Sequence, residues 1–184
     1  RDVELQSLVP PGTAYKVVAN LPYYAASPIV RRFLEAESKP EIMVVMLQRE
    51  VAREMAATEK LSILSIAVQL YGRARIVTSV PPRAFRPAPN VTSAVVRIDV
   101  YPTPALALDS EERFFKLVRA GFNAPRKQLH NNLRAGLPAL APEVNAILLQ
   151  TGIDPVRRAE TLTIEEWGRL YQAWHSEAPE GADT

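Results

Sequence analysis

Asn20-Leu21-Pro22-Tyr23 follows directly on the largely apolar run Tyr15-Lys16-Val17-Val18-Ala19. An amide, a backbone carbonyl, a rigid proline and an aromatic in that order offer two hydrogen-bond acceptors and a stacking face for a planar base. The combination suits the N6 amine of adenine, which is a poor nucleophile because its lone pair is delocalised into the ring. If the Asn20 side-chain oxygen and the Leu21 carbonyl accept its two hydrogens, the nitrogen becomes pyramidal and its lone pair turns toward an incoming methyl group. Tyr23 would stack on the base, and Pro22 would fix the turn that presents both acceptors. This is catalysis by positioning and electrostatics, without a covalent intermediate. The same string also fits a strand ending in a turn, since Asn and Pro are ordinary turn residues. An Asn-x-Pro-Tyr string arises by chance in roughly one chain in a hundred of this size, so alone it leaves both readings open.

Two further groups bear on the choice. Phe85 lies in the proline-rich stretch Pro81-Pro82-Arg83-Ala84-Phe85-Arg86-Pro87-Ala88-Pro89-Asn90. It could cap the other face of a base drawn out of its stack, or simply anchor the loop to the sheet. Arg126, Lys127 and Arg134 belong to a basic stretch that could contact phosphates or form a solvated helix face. Ser, His and Asp are present, but no Gly-x-Ser-x-Gly elbow, phosphate-binding Gly-rich loop or His-Glu-x-x-His helix accompanies them. The 184 residues contain no cysteine and two histidines, His130 and His175, distant in sequence, so no metal site is expected.

The elements that must position these groups read as α/β in the first half. Residues 15–19 and 42–47 are expected as buried strands, and residues 75–80 and 93–100 as two more. Ser27-Pro28 is expected to cap and open a helix with Ile29, Val30, Phe33 and Leu34 inward. Residues 48–58 and 61–71 carry helical spacing, the second burying Ile63, Leu64, Ile66, Ala67 and Leu70 and stopping at Gly72. The proline-rich stretch cannot pair in a sheet and is expected as a stiff exposed loop at one sheet end.

Pro102-Thr103-Pro104 marks a change of composition, and domains of 1–103 and 104–184 are expected, the second all helical. There Asp109 or Ser110 starts a helix burying Phe114, Leu117, Val118 and Phe122. Pro125 opens the next, with Leu129 and Leu133 inward and Arg126, Lys127, His130 and Arg134 on its other faces. Residues 142–150 form a third, stopped by Gly152. Thr163-Ile164-Glu165-Glu166 is a capping box for a fourth, whose apolar stripe is Ile164, Trp167, Leu170, Tyr171 and Trp174. The acidic tail from Ser176 is expected to fray. With 47% apolar residues the chain can bury a core, and its net charge of +2 permits nucleic-acid binding without demanding it. The longest uninterrupted apolar run, residues 42–47, is far too short to cross a bilayer. No signal peptide is expected at Arg1, and a cytoplasmic, membrane-free protein is the reading.

Taken together, these motifs resemble the small-subunit ribosomal RNA adenine N6-dimethyltransferases. The resemblance rests on Val18-Ala19-Asn20-Leu21-Pro22-Tyr23-Tyr24, on Met46-Leu47-Gln48-Arg49-Glu50-Val51, and on Val80-Pro81-Pro82 leading through Phe85-Arg86-Pro87-Ala88-Pro89-Asn90-Val91 to Ser93-Ala94-Val95-Val96-Arg97. Farther on, Phe122-Asn123, Arg126-Lys127, Asn131-Asn132-Leu133, Gly152-Ile153-Asp154 and Arg158-Ala159-Glu160 look like the family's helical domain. The resemblance implies a partial Rossmann-like S-adenosylmethionine-dependent methyltransferase sheet with a small all-α carboxyl-terminal domain. It implies that Asn20, Leu21, Pro22 and Tyr23 are the catalytic motif, that Asn20 also lies near the cofactor's methionine end, and that Phe85 sandwiches the base. The helical domain, with Arg126, Lys127 and Arg134, would dock on rRNA of the immature small subunit. The reaction implied is methylation of the N6 amines of two adjacent adenines. The alternatives are a large-subunit rRNA adenine methylase conferring antibiotic resistance, and a non-catalytic RNA-binding assembly or transcription factor on the same fold.

Two departures qualify the transfer. The family carries a longer loop with Pro-Gly and Tyr-Gly after the helix at Glu50, whereas here Ala56-Ala57-Thr58-Glu59-Lys60 runs almost straight into Leu61. A Gly-rich cofactor turn and an acidic ribose ligand should also precede Asn20, yet Gly12 is the only glycine before Gly72, and Asp2 and Glu4 are too near to serve. The chain is therefore expected to be the carboxyl-terminal part of a longer protein, inactive alone, with most of the cofactor site upstream. Its strand at residues 15–19 would then present an unpaired apolar edge, through which copies are expected to self-associate.

Overall fold

A computed structural model describes residues 9–10 and 12–177, and side chains through Trp174. Asp2, Glu4 and most of the acidic tail lie outside the described residues. The chain divides into two compact units. The first takes in the residues up to Ala57 together with Leu64–Ala105, and the second Thr58–Ile63 with the residues from Leu106 onward. The segment at residues 58–63, expected in the first domain, thus joins the second: the Leu61 N–H donates to the Glu160 carbonyl at 2.8 Å. Lys60, in the bend just before Leu61, has the left-handed φ of 50°.

The first unit is a four-stranded sheet of order β1-β2-β4-β3, with β1 Lys16–Asn20, β2 Ile42–Gln48, β3 Gly72–Val80 and β4 Ser93–Val100. β1 and β2 are parallel, while β4 runs antiparallel to both β2 and β3. The parallel pair needs a crossover, supplied by α1 (Ala26–Leu34), which buries Ala26, Val30 and Leu34. The expected Ser27 cap is replaced by a 3-10 turn at Tyr23–Ala25 that feeds the helix directly, so Ser27 and Pro28 lie inside its first turn.

Alternation along the strands separates the two faces. Met43, Val45 and Leu47 of β2 stand opposite Ile98, Val96 and Ala94 of β4, and all six are fully buried. On the other face Val44, Met46 and Val95 are half-buried, and Val18 of β1 is 82% exposed. α2 (Arg49–Met55) packs on β2, β3 and β4, with Ala52 and Met55 inward. α3 (Ile63–Tyr71) is buried nearly all round from Leu64 on. The helix stops at Tyr71, directly before Gly72 as expected, and Gly72 is also the first residue of β3. A Cβ there would lie 2.6 Å from the Asp99 carbonyl oxygen, so glycine is required by the close approach of β4.

The second unit holds α4 (Glu111–Gly121), α5 (Leu129–Gly136), α6 (Val144–Gln150) and α7 (Ile164–Glu177). Ser110 caps α4, its Oγ accepting from the Arg113 N–H at 3.2 Å. The capping box of α7 forms as read: Thr163 N–H donates to Glu166 Oε2 at 2.9 Å and Glu166 N–H to Thr163 Oγ1 at 3.3 Å. All five residues of its stripe are buried. Gly152 follows α6 with φ 74°, the left-handed conformation that glycine adopts freely. Pro125 does not open α5. Residues 123–128 form turns, and the helix begins at Leu129, whose N–H donates to the Arg157 carbonyl at 2.7 Å.

Candidate functional site

Asn20 closes β1 opposite Met46, and Gln48 closes β2 opposite Ser93, which also pairs with Val80. The carboxyl ends of β1 and β2 and both ends of the 81–92 connection therefore lie at one end of the sheet. That is the end at which open α/β sheets bind ligands.

The first link past β1 is fixed by the Leu21 N–H, which donates to the Met46 carbonyl at 3.0 Å. Leu21 turns its side chain into the core, whereas the Asn20 amide is exposed and bonded to no described residue. Pro22 is extended, at φ −62° and ψ 132°, and its carbonyl accepts from the Ala25 N–H at 3.0 Å. That short turn brings Tyr23 back over the strand ends, half-buried, with its hydroxyl 2.6 Å from Ser93 Oγ. Tyr24, next in sequence, is 90% exposed.

Phe85 follows the 3-10 turn Pro82–Ala84 and donates its N–H to the Pro82 carbonyl at 3.1 Å. The connection is mostly exposed as read, Phe85 is half-buried, and the Arg86–Pro87 bond is cis. Its far end is tied to the start of α2 by the Arg49 N–H, which donates to the Thr92 carbonyl at 3.0 Å. No ring contact joins Tyr23 and Phe85 among the described residues, so the two aromatics are independent faces at one sheet end.

In the second unit Arg126 and Lys127 sit on the exposed turn before α5, and Arg134 is exposed on the helix itself. The continuous basic helix expected from residue 126 is thus a turn and a helix. Asn132, 1% exposed, holds that turn. Its Oδ1 accepts from the Ala124 N–H at 3.2 Å, and its Nδ2 donates to the carbonyls of Gly121 at 2.7 Å and Ala124 at 3.0 Å. His130 is half-buried, and its Nδ1 lies 2.9 Å from the Pro155 carbonyl. Among the described residues no three His, Cys, Asp or Glu side chains are grouped to hold a metal, and no helix is long and apolar enough to cross a membrane.

The sequence model described as "Ribosomal RNA adenine dimethylase" matches residues 3–175. The chain belongs to the ribosomal RNA adenine dimethylase family. Curated members include Ribosomal RNA small subunit methyltransferase A of Dehalococcoides mccartyi, 50% identical over 157 residues that cover 85% of this chain and 54% of the relative. The protein of the same name from Alkaliphilus oremlandii is 43% identical over 164 residues, covering 87% of this chain and 57% of the relative. The chain therefore spans about half the length of the curated relatives it matches. Among solved structures, the 23S rRNA methyltransferase ErmE is similar at 26% identity and a TM-score of 0.66, over 89% of this chain and 66% of that one. A dimethyladenosine transferase from Plasmodium falciparum has the same fold, with a TM-score of 0.74 at 21% identity over 96% of this chain and 72% of that one. The sheet and helices are thus those of the Rossmann-like rRNA adenine methyltransferases.

Two residues of this family member escape a motif reading. Ser93 and Asn132 stand within strings that carry the resemblance, yet neither string says that Ser93 meets a tyrosine 70 positions away or that Asn132 is buried. A polar residue amid Ala94, Val95 and Val96 is the one local signal for Ser93, since a buried hydroxyl needs a partner.

Proposed function

We propose that this chain carries the base-binding part of an S-adenosylmethionine-dependent enzyme that dimethylates the N6 amines of two adjacent adenines in small-subunit rRNA during ribosome biogenesis in the cytoplasm. The observation that carries this is the Asn20-to-Tyr23 segment at the ligand-binding end of the sheet, with an unengaged amide and a braced aromatic beside the Phe85 loop. Asn20 Oδ1 and the Leu21 carbonyl accept the two amine hydrogens, while Tyr23 and Phe85 take the two faces of the flipped adenine. S-adenosylmethionine would supply the methyl group. The exposed Asn20 amide is the group proposed to lie near its methionine end. Arg126, Lys127 and Arg134 meet rRNA phosphates of the small-subunit precursor. The 43–50% identical small-subunit methyltransferases favour the small subunit over the large one, whose 23S rRNA ErmE methylates.

The test puts this chain in place of the matched segment of the Dehalococcoides mccartyi relative and measures methyl transfer to each purified ribosomal subunit. Transfer to small subunits, lowered at least about a hundredfold by Asn20→Ala, is expected from loss of an acceptor acting in the transition state. Transfer to large subunits would move the assignment to the ErmE type. A wild-type rate for Asn20→Ala would remove the mechanism.

The outer edge of β1 supports a second proposal, that copies of this chain pair through it. β1 ends the sheet among the described residues, and Val18 there is 82% exposed.

A further inference from the structure

We infer that Ser93 is a positioning residue for the adenine site: through its hydroxyl it sets the plane of the Tyr23 ring, and through its place in β4 it ties that ring to the Phe85 loop. The inference rests on the base-sandwich reading above.

A tyrosine ring is free to turn about two side-chain torsions unless both its ends are held. The backbone end of Tyr23 is held by the extended Pro22 and by the Ala25 N–H bond to the Pro22 carbonyl. The phenol end is held by Ser93 Oγ at 2.6 Å. Ser93 makes a firm anchor, for it is fully buried and belongs to β4, which is hydrogen-bonded on both sides through Gln48 of β2 and Val80 of β3. The same residue ends the connection that bears Phe85, next to Thr92, whose carbonyl accepts from Arg49 N–H. Ser93 thus braces Tyr23 from the strand into which the Phe85-bearing connection runs. Ser93 is not a nucleophile in this geometry. Tyr23 is its side-chain partner, and among the described residues no histidine or carboxylate is hydrogen-bonded to it.

Stacking depends on ring orientation, so loss of the hydroxyl should weaken base capture. The probe is a single-stranded RNA with one 2-aminopurine, whose fluorescence is quenched when it stacks. Ser93→Ala is expected to weaken quenching by this chain about fivefold, the factor of one ordinary hydrogen bond, and Ser93→Thr to restore it. In a Tyr23→Phe background Ser93→Ala should cause no further loss. A Ser93→Ala protein that quenches like the wild type, or that loses as much without the Tyr23 hydroxyl, would overturn the inference. Tyr23→Ala and Phe85→Ala separate it from the reading beneath: if neither changes quenching, the base sandwich itself is wrong. The ring can also be followed without RNA, by the side-chain couplings of isotope-labelled Tyr23. Averaging over several rotamers in Ser93→Ala supports the role, and an unchanged single rotamer refutes it.

Discussion

The Tyr171 hydroxyl donates to Asp109 Oδ1 at 2.5 Å and lies 3.1 Å from the Ser110 carbonyl, joining α7 to the start of α4. Burial, and then the Asp109 carboxylate, push the Tyr171 phenol up to about 12 from its usual value near 10. The folded state therefore holds this proton more tightly than the unfolded chain. Its contribution to stability is complete below the unfolded value and is lost as pH rises from about 10 to 12. Thermal melts of the wild type and Tyr171→Phe should differ by about 1 kcal/mol at neutral pH. The difference should shrink across that alkaline window, and a constant gap from pH 8 to 12 would contradict the assignment.

Glu166 works at the opposite end of the pH scale. Its carboxylate receives Arg157 Nη1 at 2.6 Å and Nη2 at 3.0 Å while also accepting from the Thr163 N–H. The Arg157 hydrogen bonds, more than the backbone bond, hold its pKa below the ordinary glutamate range. The folded value is the lower one, so this stability is present at neutral pH and lost as pH falls through the carboxylate range. Glu166→Gln keeps a cap acceptor and should cost about 1 kcal/mol, whereas Glu166→Ala loses cap and ion pair together and should cost about 1–3 kcal/mol. Both deficits should narrow in melts below about pH 4.

The parts of the fold legible in the sequence are those governed by neighbours along the chain. Strand β4 ends where it was read because alternating apolar residues stop at Ser93 and Val100, and the α7 box lies within four residues. The misread boundaries are set by distant partners. α5 starts at Leu129 because Asn132 reaches back to Gly121 and Ala124, and because Leu129 N–H finds the Arg157 carbonyl. Neither bond leaves a mark in the local pattern around Pro125. Gly72 ends its helix as read, but the need for glycine there comes from a distant partner too, the Asp99 carbonyl across the sheet. The residues proposed for the amine-binding site lie in one tetrapeptide, whereas the Ser93 brace required the register of three strands.

Gly121 tests how tightly the second unit is packed. A Cβ added there would lie 2.4 Å from Trp167 Cη2 and 3.2 Å from Leu129 Cδ1. The Trp167 ring is fully buried and stacked on Phe122 at 5.9 Å, so it has little room to withdraw. Alanine favours a helix over glycine by about 1 kcal/mol, but overpacking of this kind costs about 1–3 kcal/mol. The clash should win, and Gly121→Ala should melt lower than the wild type with a perturbed tryptophan fluorescence. A higher melting temperature would mean that the Trp167 ring can shift.

The β1 edge makes its own prediction in solution. On its open face Val18 stands beside the half-buried Val44 of β2, so an incoming strand would both satisfy edge amides and cover apolar surface. Light scattering coupled to size exclusion should therefore show a molar mass that rises with protein concentration. Val18→Lys puts a charge on the strand and should return the protein to monomer without a large fall in melting temperature, because Val18 buries little to begin with. A wild-type chain that stays monomeric at high concentration would exclude pairing through this edge. Association that survives Val18→Lys would place the contact on another surface.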